Sequence, residues 1–301
     1  MSRGLGCAWG DYDNDGYVDL FVPCEFGLKS LLYHNEGNGT FSKITTGDIP
    51  NNVAQSLAAA WVDYDNDGFL DLFVANGRSG FNANYLYRNN GNGSFTQITN
   101  VAPVTNLGTW HGAVWGDYDN DGFLDLFTAN WGSPNALYRN DGNTNAWLKV
   151  KLRGTVSNRQ GIGAKVRVKA TIGGVTRWQM RQVSGGDGII QNSIIAHFGL
   201  GDGTNVDVLR IEWPSGIVQE LTNVAVNRYL TVREEPRLIP TRRAGEFDLM
   251  GGKGGRYCIE ATTNLENWVC IAQLTNTQAI VPFMDTNAPG FSPRFYRAFK
   301  Q

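Results

Sequence analysis

Apolar residues in this chain come in short runs set between dense polar blocks. Ala58-Ala59-Ala60-Trp61 precedes one acidic block and Leu72-Phe73-Val74 follows it. Such runs are too short for helices and fit buried strands bounded by turns. Farther on, Trp147-Leu-Lys-Val-Lys-Leu-Arg153 and Ala164-Lys-Val-Arg-Val-Lys-Ala170 alternate apolar with basic residues, the period-two pattern of half-buried strands. Lys149, Lys151, Arg153, Lys165, Arg167 and Lys169 are expected to point outward, and if the two strands pair, like charges lie across from one another. This basic row reads as a solvated face; the alternative is a docking surface for an anionic glycan or for the acidic first segment of the same chain. The pattern predicts an all-β protein, and 37 glycines among 301 residues supply the turns it needs.

Self-comparison reveals internal repeats. The block Trp9 to Phe21 recurs as Trp61 to Phe73 and as Trp115 to Phe127. A second block follows each: Leu32 to Phe41, Leu86 to Phe95, and the shortened Leu137 to Asn143. Its Asn-Gly-Asn-Gly core tolerates positive φ and reads as a hairpin turn, which also accounts for the glycosylation sequons at Asn38 and Asn92. Several strands in a unit of about fifty residues mark a propeller blade.

The acidic block carries the chemistry. In Asp11-Tyr12-Asp13-Asn14-Asp15-Gly16-Tyr17-Val18-Asp19, carboxylates stand at positions 1, 3, 5 and 9, with glycine at position 6. Carboxylates packed this closely repel one another unless a cation sits among them. Position 7 can add a backbone carbonyl, so every ligand is oxygen, the preference of calcium. The expected ligands are Asp11, Asp13, Asp15, Tyr17 and Asp19; then Asp63, Asp65, Asp67, Phe69 and Asp71; then Asp117, Asp119, Asp121, Phe123 and Asp125. About three Ca²⁺ are thus expected. An EF-hand is disfavoured, because position 12 is Val22, Val74 or Thr128 rather than glutamate, and a strand-like run follows.

Trp-Gly-Asp-Tyr-Asp-Asn-Asp-Gly-Phe-Leu-Asp-Leu-Phe resembles the FG-GAP or VCBS repeat of integrin-α-like β-propellers and bacterial surface proteins. The resemblance covers residues 4–145 and implies calcium on the aspartates named above. Only three such loops occur, fewer than a closed propeller needs, so a partial propeller is expected, completed by self-association or by N-terminal blades missing from this sequence. Gln160-Gly-Ile-Gly-Ala164, Ser184-Gly-Gly-Asp187, His197-Phe-Gly-Leu-Gly201 and Trp213-Pro-Ser-Gly216 resemble the ASPIC/UnbV module. The division expected is propeller blades over 1–145, a β-sandwich-like module over 146–235, a linker over 236–244 and a small β-sandwich domain over 245–301.

Charge follows this division. Residues 1–145 carry 6 basic and 16 acidic side chains, and the net charge of the whole chain is only −2. The absence of overall basicity and of aromatics among the basic residues argues against nucleic acid. No apolar stretch is long enough to span a membrane. Cys258 could pair with Cys270, and Cys7 with Cys24; spacing alone does not decide. Met1 to Gly6 lack the apolar core of a signal peptide, so the chain is cytoplasmic or its true beginning is missing; the resemblance implies the cell exterior, with the periplasm as an alternative. His34, His111 and His197 fall in no hydrolase or zinc motif, and Ser184 with Asp187 reads as a turn, so no catalytic residue is assigned. The expectation is a calcium-binding adhesion protein presenting a surface to a protein or carbohydrate; the alternative is a calcium-dependent polysaccharide lyase.

Overall fold

The computed structural model describes residues 4, 6–51, 53–77, 82–186, 193–251, 254–277, 280–291 and 293–301, with Lys300 by its main chain only. It forms two compact units, Met1–Lys151 with Lys165–Ile211 and Glu220–Leu230, and Leu152–Ala164 with Glu212–Gln219 and Thr231–Gln301. Strands dominate both, and the described helices are single turns. No described helix is long and apolar enough to cross a membrane.

The first unit holds three antiparallel meanders. Ala8–Gly10, Asp19–Val22, Leu31–Asn35 and Phe41–Ile44 make the first blade; Ser56–Val62, Asp71–Asn76, Tyr85–Asn89 and Phe95–Ile98 the second; Trp110–Gly116, Asp125–Asn130 and Ala136–Tyr138 the third. The Gly-Asn-Gly segments of the first two blades close hairpins, with Glu36 donating its amide to the Thr40 carbonyl and Asn90 to that of Ser94. Asn38 and Asn92 accept the amides and hydroxyls of Thr40 and Ser94, so both sequons build turns.

Each blade exposes two rows of side chains, one per sheet face, because alternate residues point to opposite sides. In the first blade Ala8, Phe21 and Leu32 lie opposite one another across the strands, and Trp9, Leu20 and Tyr33 form the neighbouring row. The second blade repeats this with Ala60, Phe73, Leu86 and with Trp61, Leu72, Tyr87, and the third with Val114, Phe127, Leu137 and with Trp115, Leu126, Tyr138. Packing follows one rule. Ala8, Phe21 and Leu32 share a core with Trp61, Leu72 and Tyr87, and Ala60, Phe73 and Leu86 share the next with Trp115, Leu126 and Tyr138. Burying one such phenylalanine contributes about 2–3 kcal/mol.

Beyond the blades lie a sheet ordered Ala196–Gly201, Ala146–Arg153, Arg228–Arg233 and another ordered Val175–Gln182, Lys165–Ile172, Asn205–Glu212, Val218–Ala225. The two basic strands therefore sit in different sheets and do not pair, so the condition for like charges to face one another is not met. Lys149 is a correction. It is buried at 4% exposure instead of pointing outward, because its ammonium finds an aspartate of the third blade.

In the second unit Glu234 is buried and collects five donors. One carboxylate oxygen accepts the amides of Thr155, Val156 and Ser157 at 2.8, 2.7 and 2.8 Å. The other accepts the hydroxyls of Ser157 and Ser215 at 2.8 and 2.5 Å. Burial pushes this carboxyl up, but the Ser215 hydroxyl and the three amides outweigh it and hold it below the ordinary range. C-terminal to it, Arg237–Pro240, Glu246–Met250 and Ile280–Met284 form one sheet, and Val269–Thr275, Arg256–Thr262 and Phe295–Lys300 another. Leu249, Tyr257 and Ile259 make the local core. Cys258 and Cys270 form a disulfide, whereas Cys7 and Cys24 are not disulfide-bonded.

Candidate metal centres

The three acidic loops fold alike. Asn14, Asn66 and Asn120 take positive φ of 61°, 57° and 63°, and Gly16, Gly68 and Gly122 of 94°, 93° and 95°, conformations that Asn and Gly accept at least cost. These two reversals turn the carboxylates inward. Asp11 Oδ2 accepts the Gly16 amide at 3.1 Å, Asp13 that of Asp15 at 3.3 Å, and Asp15 that of Tyr17 at 2.8 Å. Asp19 accepts the amides of Tyr12 and Asn35 at 3.2 and 2.8 Å. Asp63, Asp65, Asp67 and Asp71 repeat the pattern, as do Asp117, Asp119, Asp121 and Asp125.

Oxygens of positions 1, 3 and 9 converge to within 4.8 Å in every loop: Asp11, Asp13, Asp19; Asp63, Asp65, Asp71; Asp117, Asp119, Asp125. Of the position-5 aspartates, only Asp15 enters such a group, with Asp13 and His34. One observation tests whether a cation fits. Asp11, Asp63 and Asp117 each keep Oδ1 buried without a hydrogen-bond partner. A buried acceptor left unpaired costs about 1–3 kcal/mol, more when charged, and the same atom is left so three times. The donor set is oxygen throughout, so a hard cation such as calcium fits. Burial pushes the carboxyl of Asp63 up to about 8 and those of Asp11 and Asp19 up to about 7, as expected for anions collected without their counter-charge.

Each loop also has a basic companion from the second block. His34 Nδ1 lies 3.1 Å from Asp13 and 3.3 Å from Asp19. Arg88 pairs with Asp65 at 2.9 Å and Asp67 at 3.3 Å, and Arg139 with Asp119 at 2.8 Å and Asp121 at 3.1 Å. Their recurrence in Leu-Tyr-His/Arg-Asn was visible in the sequence, but the block was read only as a turn.

A second set of contacts was not legible beforehand. The strand Ala196–Gly201 lies against the second and third loops: Gly199 donates its amide to Asp63 at 3.0 Å, Gly201 to the Asn66 carbonyl at 2.8 Å, and His197 Nε2 meets the Gly122 carbonyl at 3.0 Å. Burial lowers His197 to about 4, so the imidazole is neutral and Nε2 carries the proton toward that carbonyl. A Cβ on Gly199 would collide with Asp63 and the Asn66 backbone. Lys149 Nζ reaches Asp117 at 2.6 Å, and Arg181 approaches Asp63 at 3.9 Å. Beside the first two loops a cavity of about 470 Å³ is walled by Trp9, Trp61, Trp115, Met180, Arg181 and His197. His111 stacks on Trp131 with ring centroids 5.5 Å apart. Asp187 lies outside the described residues.

Family comparison agrees with this geometry. The FG-GAP-like repeat matches residues 11–74 and 63–128, and the ASPIC and UnbV domain matches residues 154–238. The chain is an FG-GAP-like repeat protein with an ASPIC and UnbV domain. Cartilage acidic protein 1 of Mus musculus is 31% identical over 231 residues, and that of Homo sapiens 30%, each across 71% of this chain. This FG-GAP-like chain spans about a third of the length of those relatives, 34% and 33%. A solved structure titled as a tetra-tandem repeat in the extending region of a large adhesion protein aligns at a TM-score of 0.12 and 11% identity, covering 94% of this chain and 84% of that one, too remote to carry an argument.

Proposed function

We propose that this chain is a calcium-binding adhesion-type protein of the cell exterior, in which calcium holds the FG-GAP loops and the blades present a surface to a protein or carbohydrate ligand. The observation that carries the reading is the buried, unpaired Oδ1 of Asp11, Asp63 and Asp117, repeated in three oxygen-only loops. Asp11, Asp13 and Asp19 would hold one ion with the Tyr17 carbonyl, and their counterparts, with the Phe69 and Phe123 carbonyls, the other two. Asp15, Asp67 and Asp121 would complete the oxygen set or stand behind it, the latter two paired with Arg88 and Arg139. A bound ion would supply the counter-charge that lets these carboxylates ionise together inside the fold.

The disulfide between Cys258 and Cys270 supports an oxidising compartment. The tryptophan-walled cavity is of the size that small-molecule and sugar ligands occupy. The test is calorimetric titration with Ca²⁺ at up to about 1 mM, alongside melting curves in Ca²⁺ and in chelator. Uptake of about three ions with a raised melting temperature is expected. No uptake would overturn the reading.

A further inference from the structure

The rule by which the blades pack leaves one half-interface open at each end of the row. On the third blade Val114, Phe127 and Leu137 are 42%, 41% and 57% exposed, whereas their counterparts Ala60, Phe73 and Leu86 in the second blade are 1%, 0% and 3% exposed. On the first blade Trp9 is 45% exposed, against 8% for Trp61 and 7% for Trp115, and Leu20 and Tyr33 beside it are only partly buried. The two open faces are not alike. One is the alanine/valine, phenylalanine, leucine row and the other the tryptophan, leucine, tyrosine row, and these two rows are what meet in both interblade cores.

We propose that these faces bind one another between two copies of this chain, head to tail, the third blade of one copy seating on the first blade of the other. The occupant is set by the residues. A face that accepts Trp61, Leu72 and Tyr87, or Trp115, Leu126 and Tyr138, meets the same three residue types in Trp9, Leu20 and Tyr33. A contact between unlike faces is heterologous and makes a closed ring or an open chain. Two copies joined at both junctions contribute three blades each, within the range of about 4–8 that closes a propeller. Closure uses up both apolar faces, so the pair is favoured over a longer chain. The inference rests on the packing of the repeats and not on the calcium reading, since Phe127, Leu137 and Trp9 belong to no metal loop.

Light scattering and sedimentation in Ca²⁺ test it. The native chain should sediment at twice its 33.1 kDa and dissociate on dilution. Phe127→Glu and Trp9→Glu should each weaken association by at least about 100-fold, because a carboxylate then faces an apolar row at the centre of the contact. Leu137→Lys provides a second variant at a position already exposed, and melting curves confirm that each variant folds. Mixing Phe127→Glu with Trp9→Glu is decisive, since the first keeps an intact first blade and the second an intact third blade. Heteromers formed through that one junction support head-to-tail docking. A native chain that stays monomeric at about 100 μM, dimers unaffected by all three substitutions, or no recovery on mixing would each overturn it.

Discussion

Replacing Lys149 by Met is the substitution that most directly ties the fold to metal binding. Nζ lies 2.6 Å from Asp117 Oδ2, and both side chains are buried, 5% and 1% exposed. The same oxygen accepts the Gly122 amide at 2.9 Å, while Oδ1 has no partner. Removing one member of a buried ion pair typically costs about 3–5 kcal/mol, because the other charge is left uncompensated. Met keeps most of the apolar stem, so little of that loss comes from packing. The remaining amide argues for the lower end, about 3 kcal/mol in chelator. In saturating Ca²⁺ an ion in the third loop would replace the lost counter-charge, and the loss should shrink below about 1 kcal/mol. By linkage, the difference of about 2 kcal/mol appears as a roughly 30-fold gain in calcium affinity at that loop. Urea unfolding with and without Ca²⁺, together with calorimetric titration, measures both halves of the cycle. Equal losses in the two conditions would refute the idea that lysine and ion compete for Asp117; no loss in chelator would show that the pair contributes nothing.

Three further outcomes follow. Burial pushes Asp63 up to about 8 and Asp11 and Asp19 up to about 7; raised carboxyls make the folded state bind more protons than the unfolded one between about pH 4 and 8, so the metal-free protein should lose stability as pH rises across that window. The melting-temperature gain from Ca²⁺ should correspondingly shrink as pH falls from 8 to 6, and a gain independent of pH would count against ionised loop carboxylates as the ligands. Gly199→Ala should cost about 1–3 kcal/mol by overpacking against Asp63 and Asn66, and an unchanged melting temperature would show that the strand does not dock there. Glu234→Gln should cost about 2–3 kcal/mol at pH 7, since charge-assisted bonds to three amides become neutral ones. Because that carboxyl is depressed, the native advantage should be fully present above its unfolded pKa and be lost as pH falls below it; a difference independent of pH throughout the acid range would contradict the assignment.

What was legible in the sequence is what depends on neighbours in the chain. The loops recur with their Asn and Gly at fixed positions, and local backbone geometry follows from that alone; so do the hairpins at Gly-Asn-Gly. The row rule for blade packing was not read, although Phe and Trp alternate within each repeat, because which face meets which depends on the tertiary arrangement. Lys149 shows the limit most sharply. Alternation put it in register with Lys151 and Arg153, and those two are indeed exposed. A strand that meets a neighbour carrying Asp117 buries the one lysine that finds an anion, which no local pattern encodes. Glu234 likewise gave no signal, since its five donors come from residues 155–157 and from Ser215, far away along the chain.

Three loops with one backbone geometry need not bind calcium equally, because their surroundings supply different positive charge. The third loop has Lys149 in direct contact with Asp117, and Arg139 paired with both Asp119 and Asp121. The second has Arg88 on Asp65 and Asp67, with Arg181 at the longer distance of 3.9 Å from Asp63. The first has the His34 imidazole close to Asp13 and Asp19, the Arg167 guanidinium beside Gly16, and Arg181 acting on Asp11 across space. A divalent ion gains most where the resident charge is least compensated, since each fixed cation nearby repels it. Calcium is therefore expected to fill the third loop last, because its position-1 aspartate is already in direct contact with a buried lysine. Asp19→Asn and Asp125→Asn remove the same ligand position from the first and third loops. The second should eliminate the weakest step of the calcium titration and the first a tighter one, and the opposite result would mean that burial, and not charge balance, ranks the loops.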